Sequence, residues 1–140
     1  MRARLTADRL YALSLRPQEW DAHRERAVLA LRYGPMTDEA DTPATRHWML
    51  LVVEARVRLP DSDPLAAAHP DGLEVLRCGW EAELELPVAL PAQALEEDPA
   101  DVPALLAKIV ALVNTCATQA NIEPLLTDAM VERLLHARQS

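Results

Sequence analysis

Two long segments of alternating apolar and charged residues, a helical periodicity confined to the last third, and no strand–helix–strand order between them predict an α+β fold. The expected architecture is an antiparallel sheet of about four strands followed by a long C-terminal helix and a short final helix. The first segment is "HWMLLVVEARVRLP", His47 to Pro60. On a period of two, Met49, Leu51, Val53, Ala55, Val57 and Leu59 share one face, and Trp48, Leu50, Val52, Glu54, Arg56 and Arg58 share the other. Alternation and valine content make it a strand, with its first half covered on both faces and its second half showing charge to water. The second segment is "VLRCGWEAELELPV", Val75 to Val88, where Leu76, Cys78, Trp80, Ala82, Leu84, Leu86 and Val88 alternate with Arg77, Gly79, Glu81, Glu83 and Glu85. One strand displays arginines and the other glutamates. Antiparallel pairing would let Arg56 and Arg58 meet two of those glutamates, each pair adding about 0.2–1 kcal/mol and opposing register slips. The connection "PDSDPLAAAHPDG" is a loop by its proline and Pro-Asp-Gly chemistry.

The N-terminal third supports two readings. "RLYALSLRPQEW" alternates Tyr11, Leu13 and Leu15, and "ERAVLALRYGP" alternates Leu29, Leu31 and Tyr33 before a Gly-Pro stop. Yet Pro17 stands where first helical turns often carry proline, and Trp20, Ala27, Val28 and Leu31 half-fit a helical stripe that Arg24 interrupts. Two strands around a polar connection is the reading adopted, with residues 17–33 open between helix and strand. "GPMTDEADTPATRH" is then a loop between strands.

The C-terminal part reads as helical. Asp101 is placed to cap a helix with Pro103 just inside, and Leu105, Leu106, Ile109, Leu112, Val113, Cys116 and Ala120 form its apolar stripe. After Pro124, Thr127 caps a last short helix that buries Met130, Val131, Leu134 and Leu135. The expected organisation is a single domain over 1–140, strand-rich at 8–90, with an acidic linker at 91–101 and helices at 102–138.

Composition narrows the function. The chain has 140 residues and a net charge of −8, with 13 arginines and a single lysine, Lys108. Residues 1–36 carry seven arginines against Asp8, Glu19, Asp21 and Glu25, a net of +3, so the remainder is at −11. That balance opposes direct nucleic-acid binding, which needs clustered cations to displace counterions from phosphates. No apolar run reaches the ~20 residues of a bilayer span and no leader pattern opens the chain, so a cytoplasmic protein with no membrane partner is expected. Gly34, Gly72 and Gly79 are the only glycines, which leaves no phosphate-cradling loop. Ser14, Ser62 and Ser140 lie in no nucleophile elbow, and Cys78 and Cys116, far apart on apolar faces, read as buried free thiols. His23, His47, His69 and His136 share no metal-ligand spacing, and "EEDPAD" lacks a calcium loop's oxygen pattern. No catalytic, cofactor or metal site is therefore predicted, and the chain is expected not to be an enzyme.

The order of elements, with the tail "IVALVNTCATQANIEPLLTDAMVERLL", resembles the SecB export-chaperone family. There a helix leads into a Pro-Leu-x-Leu turn and then a short helix; here Pro124, Leu125 and Leu126 stand at the turn, with Leu134 and Leu135 closing the tail. "ATQANIE" occupies the place where the family carries glycine and phenylalanine. The resemblance implies an oligomer whose apolar grooves hold unfolded chains.

The expected function is thus a non-enzymatic, oligomeric polypeptide-binding protein, chaperone- or adaptor-like, a dimer or tetramer with a polypeptide partner or client and no cofactor. Candidate partner-binding residues are Trp48, Leu50, Val52, Arg56, Arg58, Glu81, Glu83 and Glu85. The alternative is a small acidic inhibitor or phage assembly protein whose glutamate row blocks a nucleic-acid-binding partner. A third reading is an enzyme with a site gathered from residues distant in sequence.

Overall fold

A computed structural model describes residues 3–36, 41–97 and 101–139. Strands β1 (Arg4–Leu15), β2 (Ala27–Pro35), β3 (Ala44–Val57) and β4 (Leu73–Leu90) form one antiparallel sheet in the order β1-β4-β3-β2. Between β1 and β2 lie the short helix α1 (Pro17–Ala22) and a 3-10 turn at Arg24–Arg26. After β4 come α2 (Gln93–Glu97), α3 (Val102–Gln119) and α4 (Asp128–Gln139). The α+β class, the antiparallel sheet and the long helix followed by a shorter one agree with the sequence reading.

The alternation in β3 and β4 has the expected physical cause. Met49, Leu51, Val53, Ala55 and Val57 of β3 and Leu76, Cys78, Ala82, Leu84 and Leu86 of β4 are all buried on one face, against α3. Leu105, Leu106, Ile109 and Val113 meet them from the helix. Each fully buried aliphatic side chain of this kind stabilises the fold by about 1.5–3 kcal/mol. Ala117 faces inward at the end of α3, whereas Ala120, expected in the stripe, is half-buried at the helix C-cap. Val88 is exposed, where the β3–β4 register shifts between the Arg46–Glu85 and Ala44–Leu90 pairs and the alternation of β4 is broken.

The N-terminal third contains both strands, but the connection between them is a helix. Pro17 opens α1, and Trp20 on it is fully buried. Arg24 fastens this corner: it pairs with Asp21 and donates to the Pro124 and Glu123 carbonyls at 2.7 and 2.6 Å. The alternation read for β1 needs a correction. A register irregularity between Leu10 and Ala12 puts Tyr11 on the outer face over Gly79, while Leu13 and Leu15 pair with Cys78 and Leu76 of the inner face.

The turn from α3 to α4 is built by its polar residues. Asn121 takes a left-handed φ of 60° just past the helix end, a conformation asparagine tolerates. Asn114 both donates to the Leu126 carbonyl and accepts from the Leu126 N–H, at 2.9 and 3.0 Å, which seats Leu125 and Leu126 in the core. Thr127 caps α4 as expected, its hydroxyl accepting the Met130 N–H at 3.3 Å. Of the apolar residues expected to be buried on α4, Leu134 is buried, while Met130, Val131 and Leu135 are half-buried.

Candidate polypeptide-binding surfaces

The face of the sheet away from α3 gathers most of the sequence-selected residues. Register places Trp48 opposite Glu83, Leu50 opposite Glu81 and Val52 opposite Gly79. Their charged neighbours are consumed within the sheet. Glu81 pairs with Arg9 of β1, Glu83 accepts from the Thr6 hydroxyl at 2.8 Å, and Glu85 is held between Arg4 and Arg46, each at 3.2 Å. Arg9 also stacks on the Trp48 ring, 5.1 Å from its centroid. Further along, Arg32, Glu54, Arg77, Glu74 and Arg56 form a chain of ion pairs across three strands.

This network corrects the expected cross-strand pairing. Arg56 stands opposite Glu74, not Glu81, Glu83 or Glu85, and Arg58 lies beyond the strand end. The loop closing β3 to β4 sets Val57 against Leu73, and that offset carries both arginines away from the three glutamates. The glutamates find their partners on β1 and at Arg46 instead. The outer side chains of Trp48, Leu50 and Val52 are half-buried, so this half of β3 is only partly covered on that face.

On the inner side, Asp8 ties β1 to the helix layer. Its carboxylate accepts from the Trp80 indole at 2.9 Å and pairs with Lys108 of α3. The Lys108 hydrogen bond, with that from Trp80, holds the Asp8 carboxyl below its ordinary range. Cys78 is buried and Cys116 half-buried, both free thiols; burial, helped by Cys116, pushes the Cys78 thiol up to about 11. Among the described residues, no three His, Cys, Asp or Glu side chains gather where they could hold a metal ion.

The second surface, which the sequence reading does not single out, runs along β2. Strand order leaves β2 at an edge, paired with β3 alone. The Met36 N–H donates to Trp48 O and the Arg58 N–H to Arg26 O, so even-numbered residues of β2 carry the ladder to β3. Leu29 and Leu31 therefore turn their N–H and C=O groups to the open edge. At one end of the edge the Ala27 N–H is taken by Arg24 O, and at the other Pro35, also odd-numbered, has no N–H to offer.

That edge is bordered by apolar surface on both sides. Toward the helices, Ala27, Leu29 and Leu31 line grooves with Met130, Arg133, Leu134 and Ala137 of α4. Toward the outer face, Val28 and Ala30 form the floor of a groove of about 420 Å³ walled by Arg56, Arg58, Pro70 and Asp71. Val28 is 70% exposed, the most exposed large apolar side chain among the described residues. The sequence signal for this surface is the run Ala27–Leu31, apolar on both faces of a strand that proves to lie at an edge.

The sheet with its one helical layer and C-terminal helix pair is a SecB-like fold. Among solved structures the chain is similar to the Mycobacterium tuberculosis SecB-like chaperone Rv1957, in complex with a ChAD peptide from the Rv1956 HigA1 antitoxin, with a TM-score of 0.52 and 15% identity over 91% of this chain and 89% of that one. No protein-family model matches the chain. No curated protein matches it by sequence.

Proposed function

We propose that this protein binds extended polypeptide segments, as a chaperone or adaptor does, and that it works without catalysis. The observation that carries the reading is the open edge of β2, whose Leu29 and Leu31 backbone groups meet no partner among the described residues while apolar side chains border them on both sides. Strand addition at such an edge draws affinity from main-chain hydrogen bonds and selectivity from the flanking grooves. The similarity to a SecB-like chaperone in complex with an antitoxin peptide supports the same reading. An acidic inhibitor finds less support, because Glu81, Glu83 and Glu85 are each engaged by neighbouring side chains and form no free anionic row.

The proposal includes self-association through the opposite edge. Leu10, Tyr11 and Leu13 of β1 are 42, 58 and 37% exposed, and the adjoining α3 carries one charged side chain, Lys108, in 18 residues. Ala104, Ala107 and Ala111 of that helix face solvent. A second copy is the natural cover for such a face. Light scattering at low and high salt tests it: a salt-resistant dimer or tetramer is expected, and a monomer at both salts overturns this part.

The edge itself is tested with Leu31→Pro, which removes an outward N–H without touching the ladder to β3, against Leu31→Ala as the packing control. Both variants are checked for folding by circular dichroism. Binding of a fluorescent, reduced and alkylated unfolded polypeptide is expected to fall much further in the proline variant. Equal binding by the two would remove the β2 edge from the site.

A further inference from the structure

Seven of the 13 arginines in this chain are paired with carboxylates. Arg4, Arg9, Arg24, Arg32, Arg46, Arg56 and Arg77 each have one as partner. Among the arginines whose side chains the structure describes, those in none of these ion pairs are Arg16, Arg26, Arg58 and Arg133. Three of these four exposed arginines surround the beginning of β2. Arg26 immediately precedes the strand, Arg58 walls the outer groove, and Arg133 lines the groove against α4. In a chain of net charge −8, three exposed guanidinium groups in none of these ion pairs around the start of one strand are a local concentration of positive charge. Two acids line the grooves of Arg58 and Arg133, while Glu25 and Asp21, the latter paired with Arg24, lie on the surface shared with Arg26. Of the two in the grooves, Glu54 is already shared by Arg32 and Arg77, and Asp71 on the loop rim is the other.

The geometry points to an acidic–apolar occupant: we propose that the β2 edge selects an extended segment with apolar side chains over Leu29 and Leu31 and carboxylates at the end beside Arg26, Arg58 and Arg133. This rests on the reading of the edge as the binding strand. Side chains of an added strand alternate between the two grooves, so one arginine is in reach on each side: Arg58 from the outer face and Arg133 from the helix side. The pairs form at a solvent-exposed rim, where charge sets choice of partner and encounter rate more than total affinity. A basic segment meets the same three groups as repulsion, which makes the selection a difference between partners.

Three fluorescein-labelled peptides share one alternating valine–threonine stretch and differ only in a terminal pair of residues: glutamate, glutamine or lysine. At low salt the glutamate peptide is expected to bind the wild-type protein about tenfold more tightly than the lysine peptide, with the gap closing as salt rises. In the Arg58→Glu/Arg133→Glu variant, both substitutions being at exposed positions, the order is expected to reverse. Equal affinities for all three peptides, or a preference for lysine in the wild type, overturn the charge selection and leave the edge reading standing. If none of the three binds, the edge reading fails and this proposal with it.

Discussion

Arg9 of β1 lies over Glu81 of β4 and at the same time stacks on Trp48 of β3, so one side chain on an edge strand joins three strands on the outer face. Glu81 is 6% exposed, the one buried charged side chain among the described residues. Arg9→Ala is expected to cost about 1–3 kcal/mol in urea unfolding, because it leaves a shielded carboxylate without its partner. Adding Glu81→Gln is expected to recover part of that loss. A double variant no more stable than Arg9→Ala alone would mean that Arg9 acts through its packing on Trp48.

Asp8 gives the fold a defined acid response. Its folded carboxyl lies below the ordinary 3.8, owing first to Lys108 and then to Trp80. The stabilisation is therefore complete above 3.8 and is lost as pH falls through the lower, folded value. Asp8→Asn is expected to be less stable than wild type at neutral pH, with the difference shrinking below that point. Urea midpoints measured from neutral to strongly acidic pH check this, and a constant difference would refute it.

Cys78 behaves in the opposite sense at high pH. Its thiol stays protonated to about 11 in the native state against an ordinary 9.0, so the unfolded chain releases the proton first. Stability is expected to fall with rising pH through that window, and Cys78→Ala to flatten the decline. At mildly alkaline pH, a thiol reagent is expected to label half-buried Cys116 before Cys78, which reacts only on unfolding. Equal labelling rates would contradict the burial.

The inner face of the sheet is tested by charge. Leu51 and Leu84 are 0 and 1% exposed. Leu51→Asp and Leu84→Asp each bury an unpaired carboxylate, and both are expected to abolish cooperative unfolding. Either variant retaining a wild-type melting transition would show that its side chain does not face the core.

Burial was legible in the sequence wherever alternation alone decides it. Met49 to Val57 and Leu76 to Leu86 each have one face fully apolar, and no other packing hides it. Register was not legible, since the offset of Arg56 from Glu81 depends on how a long loop closes, and alternation is blind to a shift by two residues. Nor was strand order. β1 pairs with β4, the strand most distant from it in sequence, and only that pairing brings Arg9 to Glu81 and leaves β2 at an edge. The candidate site divides the same way. Trp48, Leu50 and Val52 could be picked by composition, but the groove beside Leu29 and Leu31 exists only once the neighbours of β2 are known.

Pro35 has a consequence for how this protein fails as well as for how it works. Long apolar sheet edges seed fibrils, because each added strand presents the next one with a fresh template. Here the template is short, closed at one end by Arg24 O on the Ala27 N–H and at the other by a residue with no hydrogen to give. On the proposed reading this edge seats one brief segment, and its two closed ends oppose end-on growth. Replacing Pro35 would lengthen the seed, so the cost of that substitution is expected to appear as slow thioflavin-positive polymerisation on storage, with the melting temperature little changed.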